Sequence, residues 1–164
     1  TVIAPRHIER SQDIKDLCDK YELNTQILNR DDLIMPNKEI VILNSFGVLN
    51  NYFKFAKSVF IGKSFLEKFK NVGGQNPLEA ATFNCKVYHG PYVYNFEEIY
   101  KILEKHKISK EIKSHEDLSS YLKEDLDTKN KKSIKNFEIL SNLGNKTLIN
   151  TLRDIKNLIL NENK

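Results

Sequence analysis

The sequence has no tryptophan, one methionine, two cysteines, four histidines, four prolines and six glycines. These shortages exclude several classes. Cys18 and Cys85 lie far apart, without CxxC spacing, and with the scattered histidines they make no metal-ligand pattern. They read as reduced, small apolar residues, as expected in the cytoplasm. No run approaches the roughly 18 to 20 apolar residues that cross a bilayer. Thr1–Pro5 lacks the basic segment and apolar core of a signal peptide. A chain opening on a strand reads as a piece of something longer. Positive charge is also modest, at a net +4 with a pI near 8.9. The lysines are dispersed, and no aromatic–basic motif of an RNA-binding sheet appears, so no nucleic-acid partner is expected. The mild excess suits a solvated surface, or attraction to an anionic membrane surface or ligand.

What is present is a soluble globular composition, 40% hydrophobic and 29% charged, over 164 residues. That is enough for one domain with a real core. The first half alternates short apolar runs with helix-period stretches. Thr1–Ile3, Thr25–Leu28, Ile40–Leu43, Ser58–Ile61 and Lys86–Tyr88 read as strands. Ile40-Val41-Ile42-Leu43 is continuously apolar, as in a strand buried on both faces of a parallel sheet. Helices are predicted over Ile8–Tyr21 with Ser11 as cap, around Leu49–Ala56, over Pro77–Phe83, and from Asn95, read as a cap, through Leu103. Glu111–Lys113 reads as one more short strand and His115–Leu122 as a helix capped by Ser114. From Lys129 onward the chain reads as helix, with apolar Ile134, Phe137, Leu140, Leu148, Leu152, Ile155, Leu158 and Ile159, interrupted at Asn142–Asn145. This cadence predicts an α/β fold, a Rossmann-like doubly wound parallel sheet followed by C-terminal helices over 128–164.

In such folds ligands bind beyond the carboxyl ends of the strands, and there the sequence is chemically unusual. Arg6 follows a strand and Pro5, where a guanidinium can hold a phosphate or carboxylate bidentately. The alternative is a surface ion pair. His7 beside it reads as a hydrogen-bonding loop residue or a weak acid–base candidate. Ser45 and Ser64 are hydroxyls at strand ends, but no histidine–carboxylate pair can be assigned to either. "NVGGQNPLE" (Asn71–Glu79) places Gly73 and Gly74 before Pro77, which suits a first helical turn. Glycines let backbone approach a ligand closely, and a helix N-terminus attracts an anion. Glu79 would then serve either a ligand or only the helix dipole. Tyr88–Pro91 reads as turn chemistry.

Five blocks, "APRHIERS" (Ala4–Ser11), "NSFGVL" (Asn44–Leu49), "FIGKS" (Phe60–Ser64), "GGQNPLEAA" (Gly73–Ala81) and "HGPYVYNFEEI" (His89–Ile99), follow one another as in 3-deoxy-D-manno-octulosonic acid (Kdo) transferases. The chain resembles the C-terminal half of that family, from Thr1 to about Glu104 by motif and to the end by helix pattern. The resemblance implies a GT-B glycosyltransferase whose C-terminal Rossmann-like domain binds the donor CMP-Kdo. An N-terminal domain, expected to be missing here, binds the lipid A precursor and supplies the catalytic base. It implies inverting, metal-independent transfer with no cofactor, at the cytoplasmic face of the inner membrane of a Gram-negative bacterium.

The CMP contacts it implies are Pro5, Arg6, Phe46, Gly47, Val48, Asn76, Pro77, Leu78 and Glu79, with the Glu79 carboxylate on the ribose hydroxyls. Ser64, Gly74 and Gln75 are expected near the donor sugar or phosphate. Within these residues only His7 and His89 offer themselves, weakly, as a base, so the fragment alone is expected to fold but not to turn over. The sequence departs from the family's usual Asp-Thr-Met-Gly-Glu-Leu at Asn44–Leu49, and from its Gly-Gly-Ser at Gly62-Lys63-Ser64. Gln75 stands in place of the usual histidine. Other readings of the same residues are a GT-B transferase for another nucleotide sugar, or a non-catalytic module for a nucleotide or anionic sugar.

Overall fold

The structure is a computed structural model, and it describes residues 1–127 and 135–162. It divides into two compact units, Thr1–Tyr52 and Phe53–Lys164. Every strand pairing in both is parallel, as the alternating pattern predicts.

In the first unit, β1 (Val2–Ile3), β2 (Thr25–Leu28) and β3 (Ile40–Leu43) form a sheet in the order β1-β3-β2. β3 is the middle strand, which explains its unbroken apolar run: Val41, Ile42 and Leu43 are all buried. A 3-10 turn at Ile8–Arg10 leads into α1 (Ser11–Lys20). Ser11 is not the cap expected of it. It is the first helical residue and is buried, and its hydroxyl donates to Asn44 Oδ1 at 3.3 Å. A partner distant in sequence has taken the group that would have capped. α2 is a short helix over Leu49–Phe53, ending before Ala56.

The second unit orders β4 (Ser58–Ile61), β5 (Lys86–His89) and β6 (Ser109–Glu111) consecutively. α3 (Leu78–Thr82) and α4 (Glu97–Lys105) lead into β5 and β6. Ala80, Ala81, Cys85, Val87, Tyr100, Leu103 and Ile108 form the buried cluster, with Ile139 and Leu140 against it. Both cysteines are buried and neither forms a disulfide. Asn95 does not cap α4. A 3-10 turn at Tyr94–Phe96 precedes the helix, and the Asn95 amide donates instead to the Val72 carbonyl. β6 begins two residues before the predicted strand.

α5 (His115–Asp127) runs five residues past its predicted end. It opens with the Ser114 hydroxyl accepting the Asp117 N–H, as expected of a cap. Its far end is fastened by Asp125, which accepts hydrogen bonds from Ser58 and Tyr88 (2.7 Å) and lies 3.4 Å from Lys86 Nζ. The Tyr88 ring stacks on Tyr121. Burial, then the hydrogen bond to Asp125, pushes the Tyr88 hydroxyl far above its ordinary pKa. α6 (Lys135–Glu162) is continuous through Asn142–Asn145, where an interruption was expected. One mid-helix glycine costs only about 1 kcal/mol, and no proline follows to break the ladder. The expected stretch Lys129–Ile134 lies outside the described residues. None of the described helices is long and apolar enough to cross a membrane.

Candidate functional site

In the first unit, β1 and β3 are register neighbours, with Ile3 opposite Ile42. Their exits therefore bring Pro5, Arg6 and His7 to the same end of the sheet as Asn44–Val48. Pro5 is half-buried, whereas Arg6 and His7 are exposed. No carboxylate among the described residues pairs with the Arg6 guanidinium, so the surface ion-pair reading of Arg6 finds no partner. Asn44 organises this end: besides the Ser11 contact, its amide donates to Asn29 Oδ1 at 2.9 Å, and its N–H to the Leu28 carbonyl. One side chain thus ties the exits of β2 and β3 to the start of α1. Beyond it Phe46 is 64% exposed. Gly47 has φ +77°, a left-handed turn that favours glycine. Val48 packs inward on Leu28, Val41 and Leu43 with Tyr52. An apolar residue suits that place, and only its backbone is left for a ligand.

In the second unit the Gly73–Gly74 stretch has a different reason to be bare. A Cβ on Gly73 would lie 2.4 Å from the Tyr92 carbonyl, 2.6 Å from that of Phe69 and 2.9 Å from that of Lys63. One on Gly74, at φ +83°, would lie 2.8 Å from Val93 Cα. The chain itself occupies the space that the sequence reading reserved for a ligand. The Gly74 N–H donates to the Lys63 carbonyl at 2.8 Å, so it does not point at a phosphate. Ser64 must likewise be corrected. It is fully buried, its hydroxyl donating to the Ile61 carbonyl and accepting the Gly90 N–H.

Gln75 is half-buried, and its carbonyl accepts the Tyr100 hydroxyl at 3.0 Å. Asn76 Oδ1 accepts the Leu78 N–H at 3.0 Å and so opens α3. Pro77 is buried and Leu78 half-buried. Glu79 is exposed in the first turn, and no cation among the described residues pairs with it. α3 spans only five residues, so its dipole is small and weighs less for anion binding than the sequence suggested.

His89 is not a base facing solvent. It is 1% exposed, its Nδ1 2.8 Å from the Gly90 carbonyl and its ring 4.2 Å from that of Tyr100. Its Nε2 is 3.1 Å from Glu104 Oε1 but is not aligned for a hydrogen bond. Of the two weak base candidates, only His7 reaches solvent.

Sequence reasoning missed the Asn44 clasp, the Tyr100–Gln75 bond and the Lys63 carbonyl. All three join residues more than ten positions apart, and no local pattern signals them. A cavity of about 480 Å³ lies elsewhere in the second unit, lined by Lys86, Glu104, Lys107, Ser109, Lys110 and Glu111. None of the predicted site residues lines it. Among the described residues, no group of His, Cys, Asp and Glu is placed to hold a metal ion.

Comparison with known proteins adds to this geometry. No protein-family model matches the chain. A 3-deoxy-D-manno-octulosonic acid transferase of Rickettsia bellii is 33% identical over 137 residues, which are 84% of this chain and 32% of that protein. One of Aquifex aeolicus is 25% identical over 128 residues, 78% of this chain and 34% of its own length. The chain therefore spans about a third of the length of the curated relatives it matches. Among solved structures, the C-terminal CMP-Kdo binding domain of WaaA from Acinetobacter baumannii aligns with a TM-score of 0.67 and 23% identity. The alignment covers 76% of this chain and 63% of that one. It shows a shared fold.

Proposed function

This chain belongs to the 3-deoxy-D-manno-octulosonic acid transferase family, and from that premise we propose that it is the donor-binding part of such an enzyme. The donor is CMP-Kdo, and the acceptor is a lipid A precursor bound by a part of the protein outside this chain. The working place is the cytoplasmic face of a Gram-negative inner membrane. The proposed reaction is inverting and needs no metal. The acceptor oxygen bonds to the anomeric carbon as the bond from that carbon to the phosphate oxygen breaks. CMP departs with the electron pair, and the hydroxyl proton passes to a base supplied from outside these residues.

The observation that carries the reading is the β1–β3 exit, where an exposed Arg6 with no carboxylate partner among the described residues stands with exposed Phe46 at one end of a parallel sheet. A guanidinium suits the phosphate, and its charge stabilises the leaving group as negative charge develops. An aromatic ring offers the base a stacking face. In the second unit the Glu79 carboxylate, without a cation partner among the described residues, suits ribose hydroxyls, presented by the turn that Asn76 and Pro77 shape. Pro5, Gly47, Val48, Leu78 and Gln75 contribute backbone and walls. Ser64 and the Gly74 N–H, both committed internally, are left out of the proposed contacts.

The test is a titration of labelled protein with CMP, UMP and GMP. CMP is expected to shift Arg6, Gly47, Asn76, Leu78 and Glu79 selectively. Equal responses to all three nucleotides, or responses elsewhere, would overturn the site. Glu79→Ala is expected to weaken CMP by roughly 1.5–3 kcal/mol, the worth of a charge-assisted hydrogen bond, and 2'-deoxy-CMP by less.

A further inference from the structure

Lys63 holds a backbone conformation that its side chain does nothing to favour. Its φ is +57°, the left-handed region that penalises any residue with a Cβ. The other non-glycine residues in this region have local reasons. Glu22, Asn84 and Lys107 each sit two positions past the end of α1, α3 and α4, where helices commonly close left-handed. Asn37 belongs to a type that tolerates this conformation. Lys63 follows a strand, and neither reason applies to it.

The loop demands this geometry. The Lys63 carbonyl accepts the Gly74 N–H at 2.8 Å, and it would lie 2.9 Å from a Cβ on Gly73. Glycine would satisfy the same backbone at lower cost, and Gly62 is its immediate neighbour. The lysine side chain is exposed, and no carboxylate among the described residues pairs with it. Nothing among the described residues repays the strain.

Its position suggests what does. Lys63 is hydrogen-bonded to the loop that continues into Asn76–Glu79. Of the donor contacts proposed in this unit, Glu79 alone is charged, and its charge is negative. An anionic donor placed there needs a compensating cation. We infer that Lys63 is a donor-binding residue whose ammonium takes a phosphate oxygen of the nucleotide sugar, the strained backbone being retained for that contact. The inference rests on the donor-binding reading above.

Three variants separate charge from strain. Lys63→Gly removes both, Lys63→Gln removes only the charge, and Lys63→Arg keeps both. Binding of CMP is measured by calorimetry and stability by thermal melting. Lys63→Gly and Lys63→Gln are expected to lose about tenfold in CMP affinity, the scale of one charge-assisted hydrogen bond. Lys63→Arg should stay near wild type. Only Lys63→Gly should melt higher, by roughly a few degrees. If wild type binds CMP and the glycine and glutamine variants bind it equally well, the inference falls while the donor reading stands. If wild type shows no CMP binding, both fall together.

Discussion

Gly73→Ala and Gly144→Ala are the same chemical change in the same unit, and the structure gives them opposite signs. At Gly73 the added methyl would meet three backbone carbonyls, those of Tyr92, Phe69 and Lys63, at 2.4, 2.6 and 2.9 Å. None is the far end of a flexible side chain, so relief requires moving backbone. Overpacking of this kind costs about 1–3 kcal/mol. Moving either flanking segment also strains the Gly74 N–H to Lys63 and Tyr92 N–H to Ser64 bonds, both 2.8 Å, at about 1 kcal/mol each. The expected loss is about 3–5 kcal/mol, a large share of a typical domain's 5–15 kcal/mol. At Gly144 an added Cβ meets nothing within 4 Å, and the residue lies inside α6. Alanine there should gain about 0.8–1 kcal/mol of helix propensity. Urea unfolding followed by circular dichroism measures both. Tyrosine fluorescence is a second probe, free of tryptophan background. A Gly73→Ala protein within about 0.5 kcal/mol of wild type would refute the reasoning. So would a destabilised Gly144→Ala.

Two further expectations concern the second unit. Burial alone would raise the Asp125 pKa, but hydrogen bonds from Ser58 and Tyr88 and the charge of Lys86 outweigh it and hold the carboxyl below its ordinary 3.8. A depressed folded pKa contributes stability that is fully present above 3.8 and is lost as pH falls through the lower folded value. Asp125→Asn should cost about 1–3 kcal/mol at neutral pH and flatten the acid limb of a stability–pH profile; an unchanged limb would count against the cluster. On α6, Leu152 and Ile155 are 56% and 48% exposed, so replacing either by lysine should shift stability by no more than about 0.5 kcal/mol. Leu103→Ala, fully buried in α4, should cost about 2–5 kcal/mol, and comparable losses at all three sites would contradict this packing.

Much of the fold was legible in the chain. Ile40–Leu43 announced a central strand because a strand buried on both faces needs four apolar residues in a row, and its bounds were read correctly, as were those of β2 and β4. Arg6 and Glu79 were legible as candidates because strand ends and helix starts are local features, and Phe46 only through the family resemblance. The motif blocks also carried the family. These signals depend on residues a few positions apart, and a sequence preserves such spacing directly.

What only the tertiary structure decided was which groups are already occupied. Gly73 and Gly74 looked like backbone bared for a ligand, but segments some twenty residues further on, at Tyr92 and Val93, fill that space. Ser64 read as an available hydroxyl, yet Gly90 from the end of β5 takes it. Asn95 and Ser11 looked like caps, and distant carbonyl oxygens claimed both side chains. α6 ran through a glycine that local propensity would have used as a break. At the glycines, Ser64 and the two caps, a hydrogen bond or steric contact between residues distant in sequence overrode a local preference worth about 1 kcal/mol; in α6 the cost of one glycine was too small to end the helix. Which residues meet that way is set by how the strands pair and the loops fold back, and local spacing does not record it.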